Sequence, residues 1–167
     1  MIANCHLGFV CVDMKESIKF YEKYLGMKTK FSISYAEYVQ ELEKNGASDP
    51  GVEKLKGYAA QGIEWLVYME WPECPGYFIE LFYGEDREQT HKPSLADMGY
   101  THFAVVVDDL KALRERIINA GGEEYLDTGI SLGMDNTYQM WMHDPDGNKF
   151  EFMQYTDKSF QLVGKTE

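Results

Sequence analysis

The stretch HLGFVCVDMKESIKFYEKYLG, residues 6–26, aligns without a gap with HFAVVVDDLKALRERIINAGG, residues 102–122. In this alignment Asp13 matches Asp109, and both stretches end in glycine. Each stretch predicts a strand, an aspartate that caps the following helix, an amphipathic helix, and a glycine that ends the helix. A repeat of this kind predicts a chain built of two similar modules.

Strand-like runs follow each of the two predicted helices. In the first module they lie at residues 65–71 and 77–83, and in the second module at residues 138–143 and 149–155. The last two runs flank DPDGN, residues 144–148, whose residue types favour a tight hairpin turn. The sequence therefore predicts an α+β fold in which the unit βαβββ occurs twice.

The sequence predicts a single domain over residues 1–167. Its two modules span about residues 1–90 and 98–156. The first module is longer than the second, and its extra residues fall largely within 35–61. This insert contains two short helical patterns. It is either a solvated helical excursion or a lid over a pocket, and the sequence leaves both interpretations open.

The charge balance excludes several classes of partner. The chain has 28 Asp and Glu against 16 Lys and Arg, for a formal net charge of -12, which would repel nucleic acid and anionic membranes alike. No stretch approaches the roughly 20 apolar residues needed to span a bilayer. We expect a cytoplasmic protein. Cys5, Cys11 and Cys74 show no metal-like spacing and are predicted to be buried reduced thiols.

Two histidines and two glutamates occupy matching places in the two modules. His6 and His102 begin the first strands, and Glu80 and Glu151 lie in later strands between apolar residues. A buried carboxylate without a partner would be costly, so the repeated set suggests a shared divalent cation. Mixed nitrogen and oxygen donors suit a six-coordinate metal with two positions open to water or substrate. Taken singly, each residue could instead be hydrogen-bonded or solvated.

The repeated unit, with SIKFYEKYLGM at residues 17–27 and DPDGNKFE at residues 144–151, resembles the vicinal oxygen chelate superfamily, and specifically its glyoxalase I-like branch. The resemblance covers nearly the whole chain except the insert and the tail after Tyr155. It implies the glyoxalase/bleomycin resistance/dioxygenase-like fold, in which two modules form a cup-shaped, eight-stranded mixed sheet. It also implies a homodimer, with each site completed either within one chain or across two.

The resemblance implies one divalent metal per site, which could be nickel, cobalt, zinc, manganese or iron. Its ligands match His6, Glu80, His102 and Glu151. Such a metal would bind two neighbouring substrate oxygens and stabilise an enediolate or enolate, while a carboxylate moves the proton. The resemblance favours Glu151 as the base, with Glu80 as second ligand or partner acid, although the sequence does not separate the two roles.

Two departures from glyoxalase I argue against a glutathione hemithioacetal as the substrate. Glu16 stands where an anion-binding arginine is typical, and the usual asparagine beyond the second ligand has no match in residues 81–84. A small hydroxylated carbonyl compound fits the chain better, and a sugar derivative is one candidate. The candidate substrate-binding residues, which could alternatively pack in the core or sheet, are Gln139, Trp141, Phe78, Phe82 and Asn136.

Three classes of function stay open on the sequence. The first is a metal-dependent lyase or isomerase that transfers a proton next to a carbonyl. The second is a non-haem iron dioxygenase, which typically uses two histidines and one carboxylate, so that a fourth ligand counts against it. The third is a non-catalytic binding module of the resistance type, which the complete set of four ligands disfavours. His91 and His143 are predicted to be solvated.

Overall fold

The computed structural model describes residues 6–47, 50–84 and 100–165. The first module contains β1 (His6–Cys11), α1 (Met14–Leu25), β2 (Lys28–Ser34), α2 (Tyr35–Lys44), α3 (Pro50–Ala60), β3 (Glu64–Glu70) and β4 (Phe78–Tyr83). The second contains β5 (Phe103–Val106), α4 (Leu110–Asn119), a 3-10 turn (Glu123–Tyr125), β6 (Ser131–Leu132), β7 (Tyr138–His143) and β8 (Lys149–Gln154). A short helix, α5 (Phe160–Val163), follows. The predicted βαβββ repeat is confirmed.

The eight strands form two four-stranded mixed sheets with the same topology. The strand orders are β1-β4-β3-β2 and β5-β8-β7-β6. In each sheet the first strand runs parallel to its neighbour, and the other pairs are antiparallel. The chain divides into two compact units, and each unit carries one of the sheets. The predicted α+β fold is therefore confirmed.

The helix ends follow the predicted capping chemistry. The Asp13 carboxylate accepts hydrogen bonds from the backbone N–H groups of Lys15 and Glu16, at 3.0 and 3.2 Å. Asp109 accepts one from the N–H of Ala112 at 2.9 Å. Helix α1 ends at Gly26, whose φ of 72° lies in the left-handed region that glycine adopts without strain.

One face of each sheet is apolar and buried. In the first sheet this face carries Phe9, Cys11, Val67, Met69, Ile79 and Leu81, all at most 6% exposed. In the second it carries Met140, Met142, Phe150 and Phe152, and α4 packs against β7 and β8 with Leu110, Leu113 and Ile117 buried. Because side chains alternate along a strand, the glutamates and their neighbours lie on the opposite faces.

The insert is helical, as predicted, and packs on its own module. Helix α2 begins with a capping box in which Ser34 and Glu37 each accept from the other's backbone N–H. Tyr35 is fully buried, and the Tyr38 ring stacks on the Trp65 ring at 3.9 Å. One side of the insert is therefore anchored rather than solvated, and its role as a lid stays a hypothesis.

Two of the three cysteines lie in the described residues. Cys11 is buried, as predicted, but Cys74 is exposed, so the prediction of a buried thiol is wrong there. The reason is its position in the turn region between β3 and β4, where the chain reverses outside the sheet. Cys5 lies outside the described residues. Across the described ranges, no helix has the length and apolar character needed to cross a membrane.

Candidate metal centre

His6 and Glu80 form a close pair on the face of the first sheet opposite its buried apolar face. Glu80 lies in the middle of β4, beside Gly8 of the parallel strand β1. The imidazole Nε2 of His6 is 3.3 Å from Oε2 of Glu80. The histidine side chain is 41% exposed and the glutamate side chain only 10%, so the pair opens to solvent through the imidazole.

His102 and Glu151 form the equivalent pair in the second sheet. Glu151 lies in β8 beside Ala104 of the parallel strand β5, and His102 immediately precedes β5. Nε2 of His102 is 3.4 Å from Oε2 of Glu151. The hydroxyl of Thr101 lies 2.9 Å from the other ring nitrogen, Nδ1, and so orients the ring with Nε2 toward the carboxylate.

An aromatic ring borders each histidine–glutamate pair. Tyr68 of β3 lies opposite Glu80, and its ring meets the His6 ring edge-on with centroids 5.5 Å apart. Trp141 of β7 lies opposite Glu151 and meets the His102 ring edge-on at 4.7 Å. The structure therefore repeats a histidine, a glutamate and an aromatic residue side by side across each sheet, with His6 in β1 and His102 just before β5. Sequence analysis found Trp141 and missed Tyr68, although β3 corresponds to β7 in the repeat.

The two carboxylates are buried in apolar surroundings. The whole residues Glu80 and Glu151 are only 8% and 9% exposed. Burial raises the pKa of the Glu151 carboxyl, His102 opposes this by lowering the pKa, and the charge of Asp135 raises it further. A buried carboxylate with one histidine partner would be stabilised in its charged form by a nearby cation.

The donor geometry fits a metal ion. Metal bonds of about 2.1 Å place neighbouring donor atoms about 3.0 Å apart in an octahedron and about 3.4 Å apart in a tetrahedron. The separations of 3.3 and 3.4 Å in the two pairs fit two donors on one cation. Within residues 6–47, 50–84 and 100–165, no three His, Cys, Asp or Glu side chains gather into a metal-binding group. Each pair brings together two of the four predicted ligands, and the binding of one metal by all four stays a prediction.

A family model identifies the chain at this point. The model of the glyoxalase/bleomycin resistance protein/dioxygenase superfamily matches residues 5–152, which include both histidine–glutamate pairs. The chain belongs to this superfamily. Its repeated βαβββ modules and its paired mixed sheets are the superfamily's architecture in this chain, as the sequence predicted.

Curated relatives within the superfamily are similar over most of their length. A lactoylglutathione lyase from Haemophilus influenzae is 30% identical over 142 residues, which are 85% of this chain and 84% of the relative. A probable lactoylglutathione lyase from Vibrio parahaemolyticus is 28% identical over 154 residues, 91% of this chain and 90% of that protein. These relatives are glyoxalase-like members of the superfamily.

Solved structures share the fold at lower identity. A superfamily member from Sphaerobacter thermophilus has a TM-score of 0.60 at 17% identity, over 93% of this chain and 98% of that chain. A fosfomycin resistance protein from Listeria monocytogenes has a TM-score of 0.59 at 14% identity, over 95% and 98% of the two chains. Both likenesses concern the fold alone.

The predicted substrate-binding residues of this superfamily member lie in two different settings. Phe78 and Phe82 flank Glu80 on its own face of β4, and Gln139 and Trp141 lie on the Glu151 face of β7. These four residues thus border the two pairs. Asn136 lies in the turn before β7 with a positive φ of 60°, and its backbone carbonyl accepts hydrogen bonds from the hydroxyls of Thr156 and Ser159. A contact of any of these residues with substrate stays a prediction.

The two remaining histidines differ in outcome. His143 is partly open to solvent, with its side chain 30% exposed, and it also has a partner, Asp127, whose Oδ1 lies 2.9 Å from its Nδ1. The partner is 16 positions away along the chain and is brought close only by the sheet. His91 lies outside the described residues.

Proposed function

We propose that the protein is a metal-dependent, glyoxalase-like lyase or isomerase that acts on a small hydroxylated carbonyl compound. The observation that carries this proposal is the repetition of one histidine–glutamate pair in both modules, with donor separations of 3.3 and 3.4 Å. The relatives named as lactoylglutathione lyases support the same class of chemistry.

His6, Glu80, His102 and Glu151 would together hold one divalent metal, combined within one chain or across two copies. Nickel, cobalt, zinc, manganese and iron all suit imidazole and carboxylate donors. When bound, the metal would stabilise the negative charge that develops on a substrate oxygen as an enediolate or enolate forms. All further chemistry falls to the protein's own side chains.

Glu151 is the proposed base that removes the proton next to the carbonyl. Burial raises the pKa of its carboxyl, which brings the group closer to the pKa of an efficient base near neutral pH. Thr101 holds His102 in a fixed orientation beside it. Glu80, the matching residue of the first module, would act as the second carboxylate ligand or as a partner acid.

The proposed substrate is small and carries hydroxyl groups rather than the glutathione carboxylates. Glu16 is exposed in the first turn of α1 and is paired with Lys19, so it offers no binding site for an anion. Next to Glu151 the sheet presents the amide of Gln139 and the flat ring of Trp141. An amide and an aromatic face suit a polar, uncharged ligand.

Metal analysis followed by solvent deuterium uptake tests this function. The purified protein, reconstituted with each of the five metals, should retain close to one equivalent per complete site. In D₂O it should then exchange the α-proton of a hydroxylated aldehyde such as glyceraldehyde. Ligand binding without exchange would instead indicate a resistance-type binding module, and oxygen consumption with the iron form would indicate a dioxygenase.

A further inference from the structure

His143 and Asp127 form a hydrogen-bonded pair in the second module that the proposed reaction has not yet used. The imidazole Nδ1 of His143 lies 2.9 Å from Oδ1 of Asp127, and the Tyr125 ring meets the imidazole with centroids 5.8 Å apart. The two side chains are 30% and 36% exposed, so the pair is formed at the surface of a sheet and is open to a ligand.

The register of the sheet places His143 on the same face as Glu151. Trp141 lies opposite Glu151, and His143 lies two residues further along β7, opposite Lys149. Residues two apart on a strand share a face. His143 is therefore a diagonal neighbour of Glu151, with Cα atoms about 7–8 Å apart in a typical antiparallel pair. A three-carbon ligand beside Trp141 could contact both side chains.

The backbone, rather than the Asp127–His143 hydrogen bond, ties the segment around Asp127 to β7. The N–H of Asp127 donates to the carbonyl of Trp141 at 2.9 Å, and the N–H of Trp141 donates to Oγ1 of Thr128 at 3.0 Å. Leu126 and Met142 form a further antiparallel bridge. These contacts hold the segment against β7 by themselves. The Asp127–His143 hydrogen bond is therefore not needed to keep the segment in place.

A carboxylate on Nδ1 sets the orientation of an imidazole and directs Nε2 outward as the atom that exchanges protons. We propose that His143 is a second catalytic residue, which carries a proton between the two neighbouring oxygens of a hydroxylated carbonyl substrate, while Asp127 positions its ring. This inference rests on the function proposed above. Charged and titratable groups near the imidazole include Asp127, Tyr125, Lys149 and the diagonal neighbour Glu151.

The step balances without a further reactant. Glu151 breaks the α-C–H bond and takes the proton, which solvent deuterium replaces while the enediolate lasts. The electron pair becomes the C=C bond, and the carbonyl oxygen gains the negative charge. Nε2 of neutral His143 takes the proton of the neighbouring hydroxyl and gives it to the charged oxygen. Glu151 then returns its proton to the former carbonyl carbon, so that an aldehyde becomes a ketone with no net change in protons or electrons.

The experiment compares two measurements on one reaction in D₂O, namely α-proton exchange and isomerisation. The metal-loaded full chain is given glyceraldehyde, and proton NMR follows α-proton exchange and the appearance of dihydroxyacetone. Exchange needs Glu151 alone, whereas isomerisation also needs the transfer between oxygens. In His143→Gln the ratio of dihydroxyacetone formed to protons exchanged should fall on the order of a hundredfold, the scale for losing a positioned proton carrier.

Four further variants separate a catalytic role from a structural one. Asp127→Asn should lower the same ratio, and Asp127→Glu should restore part of it. Asp157→Asn, which removes an exposed carboxyl elsewhere in the module, should leave the ratio at the wild-type value. Free imidazole added to His143→Ala should raise dihydroxyacetone formation. Thermal unfolding of each variant shows whether it is folded.

If His143→Gln keeps the wild-type ratio of dihydroxyacetone to exchanged protons, the role of His143 is wrong while the proposed function still stands. An equal loss of exchange and isomerisation would lead to the same conclusion. Wild-type protein that binds metal but exchanges no α-proton would contradict the proposed function itself, and this inference with it. If His143→Gln does not fold, the response of Asp127→Asn decides, because asparagine keeps the size of the aspartate.

Discussion

At the scale of single residues, the site depends on two carboxylates that the sheets bury with one histidine each. Glu80 and Glu151 are 8% and 9% exposed, and their histidine partners lie 3.3 and 3.4 Å away. One histidine does not satisfy all the acceptor positions of a carboxylate. The remaining acceptor positions are the ones that the proposed cation would occupy.

The first prediction separates metal binding from proton transfer at Glu151. Glu151→Gln keeps the volume and one oxygen but removes the basic carboxylate. If Glu151 is the base, the variant should retain measurable metal while α-proton exchange slows on the order of a hundredfold or more. Elemental analysis and deuterium uptake measure the two quantities on the same sample.

Glu80→Gln is the matched control, because it makes the same change in the equivalent pair of the other module. Glu80→Gln should slow α-proton exchange less than Glu151→Gln does. The reverse pattern would assign the base role to Glu80. Normal exchange per bound metal in both variants would mean that the protein does not work by carboxylate-assisted enolisation.

The second prediction concerns the pH dependence of stability in the metal-free protein. Burial raises the folded-state pKa of Glu151 above the ordinary value of 4.5, so the folded protein binds this proton more tightly than the unfolded chain. The contribution of the protonated Glu151 carboxyl to stability is fully present below its pKa in the unfolded chain. It is lost as the pH rises through its pKa in the folded protein. At pH 7, Glu151→Gln should therefore be more stable than wild type, because it has no charge to bury.

Urea denaturation of both proteins with a chelator present, at several values between pH 4 and pH 7, measures this difference. The advantage of Glu151→Gln should shrink as the pH falls toward the ordinary carboxyl pKa. A difference in stability between the two proteins that stays constant from pH 4 to pH 7 would show that the charge of Glu151 does not cause it.

At the scale of single elements, the turn between β7 and β8 sets the register of the second half-site. The fully buried carboxylate of Asp144 accepts hydrogen bonds from the N–H groups of Asp146 and Asn148, at 3.0 and 2.8 Å. It also accepts one from the Asn148 side chain at 2.8 Å. This turn holds the register that places Trp141 opposite Glu151.

The third prediction tests that turn. Asp144→Ala removes the acceptor of two backbone N–H groups and of the Asn148 side chain, which should cost about 2–4 kcal/mol of unfolding free energy. Asp157→Ala, at an exposed position in the same module, should change it by less than about 0.5 kcal/mol. Urea denaturation of the metal-free proteins measures both. Equal stability of the two variants would show that the Asp144 hydrogen bonds do not hold the turn.

At the scale of the whole molecule, each module supplies half of the proposed ligand set. The fourth prediction is that His6→Ala and His102→Ala each lose the metal, because each removes one of four donors and leaves a buried carboxylate unpaired. Elemental analysis after reconstitution and desalting gives the metal content. Stoichiometric binding that survives both substitutions would contradict the four-ligand assignment.

A mixture of the two variants then shows where the sites are completed. If two copies share their sites, a mixed dimer has one site with both defects and one intact site. Random pairing makes about half of the dimers mixed, so metal content should recover to about a quarter of the wild-type value. No recovery would mean that each site is completed within one chain.

Much of the fold follows from local chemistry that can be seen in the sequence. Asp13 caps its helix through the next three residues, and Gly26 ends that helix with a left-handed conformation. The alternation of side chains also places Glu80 on the face opposite Ile79 and Leu81 without any tertiary information. These features involve neighbouring residues, so short stretches of sequence were enough to predict them.

Other parts of the site depend on contacts between distant residues. The connection between β3 and β4 contains no turn of fixed register, so the sequence did not predict that Tyr68 lies opposite Glu80. The irregular segment before β6 likewise gave no signal that Asp127 would meet His143.

The sequence by itself determined the two modules, their helix ends, the superfamily and the four candidate ligands. The tertiary structure alone decided that each glutamate is buried with one histidine, that an aromatic ring borders each pair, and that His143 has a carboxylate partner. The physical reason is that capping and alternation act within a few residues, whereas burial and strand register arise only when distant segments pack together.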